Sequence, residues 1–236
     1  MARCESREEL IATLRAAAPA VLPSLLLCDF GNLAWEVERV EAAGVAALHL
    51  DVMDGHFVPN LTYGLPIVEA VRRASDLPVD VHLMIERPGD YLKLFRSAGA
   101  DVLTIHAEAV DDPRPLLDEI RALGALAGLA INPTTPLSAV ESSLPHCDLI
   151  LVMSVMPGFG GQRFDATALA KLQALRDRAD VGALLEVDGG VNESTVAACA
   201  AAGAELLVAG SAIFRAADYT TAVEQLHAAA GAGRRP

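Results

Sequence analysis

An alternation of short apolar runs with longer alanine-rich segments, repeated eight times, is the feature that most constrains the fold of this 236-residue chain. Short runs rich in Val, Ile and Leu are typical of buried parallel strands, and helices are the usual connections between such strands. Strands are predicted near 20–26, 46–52, 79–84, 102–106, 127–131, 148–153, 183–188 and 205–209, and helices near 33–42, 65–74, 89–98, 114–123, 166–178, 193–202 and 219–229.

Eight strand–helix units of roughly 30 residues each predict a closed (β/α)8 TIM barrel, an α/β fold in a single domain. An open doubly wound sheet is the alternative. The barrel domain is predicted over residues 18–230, after an N-terminal helical extension over residues 1–17 to which the sequence assigns no role. Gly44, Gly99 and Gly203 each follow a helical segment, and we expect them to end it in a left-handed conformation.

The charge and the apolar runs argue against several classes of function. A formal net charge of -13 disfavours a broad nucleic-acid surface, although backbone N–H groups can still bind a small phosphate. No apolar stretch approaches the ~20 residues that span a bilayer. Pro19 and Pro23 interrupt the apolar run before Cys28, which disfavours a lipoprotein signal. The four cysteines form no CxxC pair, so reduced thiols and a cytoplasmic location are expected.

Histidines and aspartates interrupt the apolar strands near their carboxyl ends. In "LHLDVMDGHFVPN", residues 48–60, His49 and Asp51 are two positions apart and share one face of a strand. His82 and Asp188 lie near the ends of two further strands, and all four would meet at the mouth of a barrel. The alternative is that hydrogen bonds satisfy each group separately. Gathered together, two histidines and two aspartates favour a divalent cation such as Zn²⁺, Mn²⁺ or Fe²⁺.

Glycine-rich segments follow the last three predicted strands: "MPGFGGQRF" (156–164), "VDGGVNEST" (187–195) and "AGSAIF" (209–214). TIM barrels often bind phosphate with the loops after their last strands, through backbone N–H groups that the phosphate must reach. Glycine has no side chain to keep a phosphate away. The phosphate-binding candidates are Gly160, Gly161, Gly189, Gly190, Gly210 and Ser211.

Other residues near the predicted mouth have both a structural and a functional interpretation. Met53, Met84 and Met153 either fill gaps in the core or form a hydrophobic cap over a reactive intermediate. The segment "PGFGGQ" is either a flexible connection or a lid that closes over bound ligand. His106, at the end of a strand, is expected to lie beside the substrate or behind the metal ligands.

The motifs "PSLLLCDF", "LHLDVMDGHFVPN", "VDVHLMIERP", "INPTTPL", "VMSVMPGFGGQRF" and "LEVDGGVNEST", in this order, closely resemble the ribulose-phosphate 3-epimerase family, from about residue 20 to 215. The resemblance implies a TIM barrel of the pentose phosphate pathway that holds one divalent metal ion, Zn, Fe, Mn or Co. It also implies association into a homo-oligomer. The implied metal ligands are His49, Asp51, His82 and Asp188.

The resemblance further implies that Asp51 and Asp188 are the two acid/base groups. The residues implied to contact the phosphorylated sugar are Ser24, His82, Gly158, Phe159, Gly160, Gly161, Gly189, Gly190, Gly210 and Ser211. Enzymes of this family invert C3 of D-ribulose 5-phosphate to give D-xylulose 5-phosphate. Two carboxylates on opposite walls of the mouth can remove and return the C3 proton while the metal stabilises the enediolate.

Leu27 in "PSLLLCDF", Leu65 in "YGLP" and Met156 before "PGFGGQ" depart from the usual family pattern. They leave the reaction type unchanged and keep open a hexulose phosphate, such as allulose 6-phosphate, as an alternative substrate. An aldol-type lyase or decarboxylase would be expected to place a lysine or an additional acid at the strand ends, and the two lysines, Lys93 and Lys171, fall within predicted helices. A phosphosugar-binding barrel without activity would be expected to lack one of the two aspartates, and both are present.

Overall fold

The computed structural model describes residues 6–178 and 180–233, so the first five residues of the predicted extension lie outside the described residues. The eight apolar runs form eight strands that are buried almost throughout, as expected for a parallel sheet covered by helices. They are β1 (Ala20–Pro23), β2 (Leu48–Met53), β3 (Val79–Met84), β4 (Val102–His106), β5 (Leu126–Ile131), β6 (Leu149–Met153), β7 (Leu184–Asp188) and β8 (Leu206–Ala209).

All seven predicted helices are present in the described part of the chain, two of them with unchanged bounds. Between β5 and β6, 3₁₀ segments at Leu137–Ala139 and Glu141–His146 replace an α-helix; the second contains Pro145, which lacks an N–H donor. The α-helices are α1 (Arg7–Ala17), α2 (Leu33–Ala42), α3 (Leu65–Ala74), α4 (Leu92–Ala98), α5 (Arg114–Ala122), α6 (Thr167–Arg176), α7 (Val196–Ala202), α8 (Ser211–Phe214) and α9 (Tyr219–Gly233). Gly44, Gly99 and Gly203 have positive φ angles after their helices, as predicted.

All the strand pairs are parallel, and the strand order is β1-β8-β7-β6-β5-β4-β3-β2. The two ends of this row meet where Ser24 forms a parallel bridge with His49. The sheet is therefore a nearly closed barrel, and the predicted single-domain (β/α)8 TIM barrel is confirmed over the open doubly wound sheet. The carboxyl ends of the strands share one mouth, where the active sites of such barrels lie.

The first strand is shorter than predicted. β1 ends at Pro23, and Leu25–Leu27 form a 3₁₀ turn where the strand predicted over 20–26 would have continued. The neighbouring β8 ends at Ala209, opposite Pro23, and the pairing on that side ends with the Ser24 N–H, which donates to Ala209 O at 3.1 Å. This early end leaves Ser24 at the mouth of the barrel, next to β2.

Helix α1 covers the end of the barrel opposite the mouth. Its buried side chains, Leu10 and Leu14, belong to an apolar cluster with the first residues of several strands, including Val102, Leu126 and Leu149. Arg7 Nη2 donates to both oxygens of the Asp148 carboxylate, at 2.8 and 2.9 Å. The described part of the predicted extension therefore closes the bottom of the barrel and lies far along the strands from the mouth.

Two further expectations concern the whole chain. Across residues 6–178 and 180–233, no helix is both long and apolar enough to cross a bilayer. Cys28, Cys147 and Cys199 are buried free thiols, and burial is the main cause that raises the pKa of each to about 12. These three side chains therefore behave as small apolar groups of the core.

Candidate active site

Four of the predicted site residues converge because of the pleat and the register of the barrel strands. His49 and Asp51 alternate with outward-facing leucines and valines on β2, and Asp51 lies directly opposite His82 on β3. Asp188 ends β7 on the other side of the mouth. His49, Asp51 and His82 are at most 3% exposed. One nitrogen or oxygen of each of the four residues lies within 4.8 Å of the others, a cluster that could hold a metal ion.

The donor atoms of this cluster have the arrangement that a cation requires. Asp51 Oδ1 lies 3.3 Å from His49 Nε2 and 3.1 Å from His82 Nδ1. His49 Nε2 is fully buried and has no hydrogen-bond partner among the described residues, although an orphaned buried nitrogen is costly. Two imidazoles and two carboxylates suit several first-row divalent ions. The residues present therefore fit a divalent metal ion.

Two buried carboxyl groups below the cluster were missed by the sequence analysis. Asp80 Oδ2 lies 2.6 Å from His49 Nδ1, and Glu186 Oε1 lies 3.3 Å from the same nitrogen. Burial, then the charge of Asp80, raises the pKa of Glu186 to about 8. Asp80 and Glu186 stand two positions before His82 and Asp188, so the same alternation along the strands could have placed them inside the barrel.

The two proposed acid/base groups have opposite shifts in pKa. Burial alone would raise the pKa of Asp51, but the imidazole groups of His49 and His82 beside it bring it well below its ordinary value. Burial, then the charge of Asp51, raises the pKa of Asp188 to about 7. Burial also lowers the pKa of His82 to about 4. One carboxyl group is thus held ionised while the other, nearby, retains a proton more readily.

The loop after β2 holds the free edge of this strand near Asp51. The Asp51 N–H donates to the Tyr63 hydroxyl at 2.9 Å, and the Met53 N–H donates to Thr62 Oγ1 at 2.9 Å. The Thr62 hydroxyl in turn donates to Asp51 O at 2.7 Å. These side chains bond backbone groups that the short strand β1 does not reach, and so they fix the position of Asp51.

A pocket above the His/Asp cluster collects most of the predicted substrate residues. His82 is the exception, because it is fully buried beneath the pocket and does not line it. The lining includes Asp51 and Asp188, the predicted contacts Ser24, Gly158, Phe159, Gly160, Gly161, Gly189, Gly190, Gly210 and Ser211, and the predicted cap of Met53, Met84 and Met153.

The glycine-rich loop 157–162 forms one side of the pocket and is held at two points. Gln162 Nε2 donates to Met156 O and Phe159 O, at 2.7 and 2.8 Å. Asn60 Nδ2, from the loop after β2, donates to Gly158 O at 2.6 Å. The Phe159 side chain is 56% exposed. The loop is therefore braced at its base, and its aromatic tip faces solvent.

A close backbone approach explains one glycine of the pocket. Gly190 has φ +64°, a conformation that residues with a side chain rarely adopt. A Cβ at this position would lie 2.7 Å from Phe164 N and 3.0 Å from Gln162 O. The end of the glycine-rich loop thus packs directly on the turn after β7, which only a glycine allows.

The three positions that depart from the family pattern differ in their relation to the pocket. Leu27 lines it, with methyl groups about 3.5 Å from where a Cβ on Gly160 would lie. Leu65 begins α3 and packs against the core outside this pocket. Met156 is 51% exposed and precedes the lining segment. Leu27 is therefore the departure best placed to contact a substrate.

His106, Lys93 and Lys171 lie outside the pocket. His106 is fully buried, with Nε2 2.8 Å from His82 Nε2, so it lies behind the cluster and away from the substrate side. Lys171, on α6, donates to the carbonyl groups of Asn132, Pro133 and Thr135. Lys93, on α4, is an exposed surface residue 3.8 Å from Glu119. Neither lysine lines the pocket, which disfavours Schiff-base chemistry there.

A TIM barrel that opens a glycine-lined pocket onto a buried His/Asp cluster at its mouth has the architecture of an enzyme of this fold. The model of the ribulose-phosphate 3-epimerase family matches residues 20–214. The chain therefore belongs to this family, and it is an epimerase. It is 48% identical over 217 residues to the ribulose-phosphate 3-epimerase of Mycobacterium tuberculosis, covering 91% of this chain and 94% of that protein. It is 47% identical over 210 residues to the ribulose-phosphate 3-epimerase of Bacillus subtilis, covering 87% and 97%.

More distant structures share the fold. A crystal structure of 3-hexulose-6-phosphate synthase superposes with a TM-score of 0.66 at 22% identity, covering 89% of this chain and 99% of that one. A thiamine phosphate pyrophosphorylase from Pyrococcus furiosus superposes with a TM-score of 0.62 at 18% identity, covering 94% and 100%. Proteins with different chemistry thus share this barrel, and the reaction must be argued from the site.

Proposed function

We propose that the protein inverts C3 of D-ribulose 5-phosphate to give D-xylulose 5-phosphate by a two-base proton transfer. The observation that carries this proposal is the placement of Asp51 and Asp188 on β2 and β7, with both carboxyl groups lining one pocket. Inversion beside a carbonyl requires a proton to leave one face of C3 and another to arrive on the opposite face. One base cannot easily reach both faces, whereas two carboxyl groups on separate walls can.

The roles of Asp51 and Asp188 in this transfer follow from their different surroundings. A base must be ionised and an acid protonated at the start of turnover, and the roles exchange in the reverse direction. Asp51, with Oδ2 held by the Ser24 hydroxyl at 2.6 Å, keeps a fixed orientation towards the pocket. Asp188 ends its strand beside Gly189 and Gly190, within reach of the same bound molecule. Each carboxyl group would therefore serve one face of the sugar.

His49, Asp51, His82 and Asp188 would hold one divalent ion, of which Zn, Fe, Mn and Co are the candidates. Such an ion supplies Lewis-acid stabilisation for the negative charge that develops on the sugar oxygens. The residues of the chain fit this role, because His49 Nε2 is buried, has no hydrogen-bond partner in the described part of the chain and faces Asp51 Oδ1. Burial of the cluster excludes water and strengthens these electrostatic interactions.

The glycine-lined side of the pocket would bind the phosphate of the substrate. Gly160, Gly161, Gly189 and Gly190 leave backbone groups open on one side, and Ser211 adds a hydroxyl at the start of α8. Met53, Met84 and Met153 would form the apolar wall over the reacting carbons. Loop 157–162 would act as the lid, with Phe159 as its exposed tip.

The test combines isotope exchange with substrate choice. In D₂O, the xylulose 5-phosphate formed should carry solvent deuterium at C3, because the proton removed by one group is replaced through the other. Product without deuterium would overturn the two-base route. Comparison of kcat/KM on ribulose 5-phosphate and allulose 6-phosphate tests the substrate, and a strong preference for the hexulose phosphate would replace the pentulose phosphate in this proposal.

A further inference from the structure

A hydrogen-bonded chain of three side chains runs from the back of the His/Asp cluster to the surface. His82 Nε2 lies 2.8 Å from His106 Nε2, and His106 Nδ1 lies 3.1 Å from Glu108 Oε2. The two imidazole rings meet edge to edge, with centroids 4.9 Å apart and planes inclined by 26°, and both are fully buried. His106 and Glu108 do not line the pocket, so neither is placed to contact the substrate.

We propose that Glu108 and His106 are positioning residues that fix the tautomer of His82, with the proton on Nε2, so that the lone pair of Nδ1 faces Asp51. The inference rests on the proposed metal site and assigns residues behind it. It predicts that Glu108, which touches no ligand of the ion, controls metal affinity through two imidazole rings.

Glu108 sets which atom donates in each of these hydrogen bonds. Its Oε1 accepts the N–H of Asn132 at 2.8 Å and the hydroxyl of Thr135. Burial alone would raise the pKa of Glu108, but hydrogen bonds from His106, Thr135 and the Asn132 backbone lower it to about 2. An ionised carboxylate can only accept hydrogen bonds. Glu108 Oε2 therefore requires the proton of His106 to be on Nδ1.

The next two links follow from the single N–H of a neutral imidazole. With its proton on Nδ1, His106 presents a lone pair at Nε2, so His82 must donate from its own Nε2. His82 Nδ1 is then unprotonated, 3.1 Å from Asp51 Oδ1. Two acceptors that face each other at this distance repel unless a cation lies between them. The hydrogen bonds from Glu108 through His106 thus prepare His82 Nδ1 as a metal ligand.

His49 also faces Asp51 Oδ1, with its Nε2 atom. Its Nδ1 faces Asp80 Oδ2 at 2.6 Å, so the neutral imidazole carries its proton there and presents the lone pair of Nε2 at 3.3 Å from Asp51 Oδ1. A carboxylate behind each ring is the usual device that orients metal-binding histidines. For His49 the carboxylate is in direct contact, whereas for His82 it acts through His106.

The loop that holds Glu108 is itself anchored. Lys171 Nζ donates to Asn132 O, Pro133 O and Thr135 O at 2.6, 2.8 and 2.7 Å. These bonds fix the residues whose N–H and hydroxyl groups bind Glu108 Oε1. Glu108 Oε1 is therefore committed to the loop, and only Oε2 is left to face His106.

This commitment gives a test that distinguishes positioning from packing. In Glu108→Gln the carbonyl oxygen stays at the Oε1 position, because two donors face it, so the amide N–H₂ faces His106 Nδ1. His106 Nδ1 then accepts from the amide, so His106 carries its proton on Nε2 and donates to His82 Nε2. His82 in turn carries its proton on Nδ1. Glu108→Ala removes the acceptor and leaves both histidines free to choose. The wild-type protein, both variants and Asp118→Asn are stripped of metal, and their Zn²⁺ dissociation constants are measured by competition with a chromophoric chelator.

Glu108→Gln should weaken Zn²⁺ binding by about 10- to 100-fold, the usual effect of losing such an orienting partner, and Glu108→Ala should weaken it less. A structural role alone predicts the opposite order, because Ala removes more contacts. Asp118 forms a comparable carboxylate–imidazole pair with His146 at the surface, 2.8 Å apart, so Asp118→Asn should leave the dissociation constant unchanged. Circular dichroism confirms that each variant is folded.

The tautomers are read directly from two-bond ¹H–¹⁵N spectra of zinc-loaded wild-type protein and of metal-free Glu108→Gln. The expected result is a proton on His82 Nε2 in the first and on Nδ1 in the second. A doubly protonated His106 in the zinc-loaded protein, or an Ala variant that binds as weakly as the Gln variant, would overturn the inference. A wild-type protein that binds no Zn²⁺ would instead contradict the proposed metal site.

Discussion

The two oxygens of the Asp51 carboxylate have different partners: Oδ2 accepts the Ser24 hydroxyl at 2.6 Å, and Oδ1 faces both histidines of the cluster. The division arises because β1 ends at Pro23 and leaves Ser24 bridged to β2. The hydroxyl fixes the rotation of the carboxylate, with Oδ1 turned towards the two histidines.

Ser24→Ala should lower kcat by at least about tenfold and change KM less. A hydrogen bond to a charged group contributes roughly 1.5–3 kcal/mol, and about 1.4 kcal/mol corresponds to a factor of ten in rate. Steady-state kinetics on ribulose 5-phosphate measures both constants. The exposed Ser138→Ala is the control and should behave like the wild-type protein. Unchanged turnover in Ser24→Ala would show that Asp51 is oriented without the hydroxyl.

Asp51→Asn and Asp188→Asn should each lower turnover by at least ~10², the usual contribution of a positioned acid or base. The amide keeps the shape of the side chain but cannot accept the C3 proton. Exposed Asp76→Asn serves as the control for a lost carboxylate. Turnover within a few-fold of the wild-type value in either site variant would assign its role to another group.

Gly190→Ala should reduce kcat/KM by at least about tenfold, because a Cβ would press on the backbone of Phe164 and Gln162 and displace the loop that lines the pocket. Gly124→Ala is a matched control, since Gly124 also has positive φ, +79°, but a Cβ there meets nothing within 4 Å. The positive φ should cost each variant about 1 kcal/mol of stability, and Gly190→Ala should lose more because of the added backbone contact. Equal activities in the two variants would contradict a role for the close approach.

Leu14→Ala should destabilise the protein by about 2–5 kcal/mol, the range for truncating a buried leucine, and lower Tm by roughly 5–15 °C. The side chain is buried at the end of the barrel opposite the mouth, so kcat at 25 °C should stay unchanged. Differential scanning calorimetry and steady-state kinetics test the two statements, with the exposed Glu8→Ala as the control. A lost kcat would show that α1 influences the mouth.

Much of the architecture follows from local pattern. α2 and α3 have the predicted bounds, because their apolar and polar residues alternate with helical period and neighbouring turns end them. The predicted end of β1 was wrong because the length of a strand depends on its neighbour, and β8 stops at Ala209. The residues around Ser24 do not indicate where β8, which is distant in the sequence, ends.

Part of the candidate site could be predicted from the sequence for a related reason. His49, Asp51, His82 and Asp188 stand out because polar groups interrupt apolar strands at their carboxyl ends. Asp80 and Glu186 interrupt the same strands deeper in the barrel, and their contact with His49 requires the closed sheet. Glu108 follows its strand in a loop, so only the folded chain connects it to His106 and His82.

The most direct test of the central claim, that one divalent ion held by four side chains supports the proton transfer, is a titration of activity with metal. Protein stripped by a chelator is titrated with Zn²⁺ or Mn²⁺ while turnover of ribulose 5-phosphate is followed. We expect turnover near zero at the start and a plateau at one equivalent per chain, with no plateau for His49→Ala. Full turnover in the stripped protein, before any metal is added, would contradict the account.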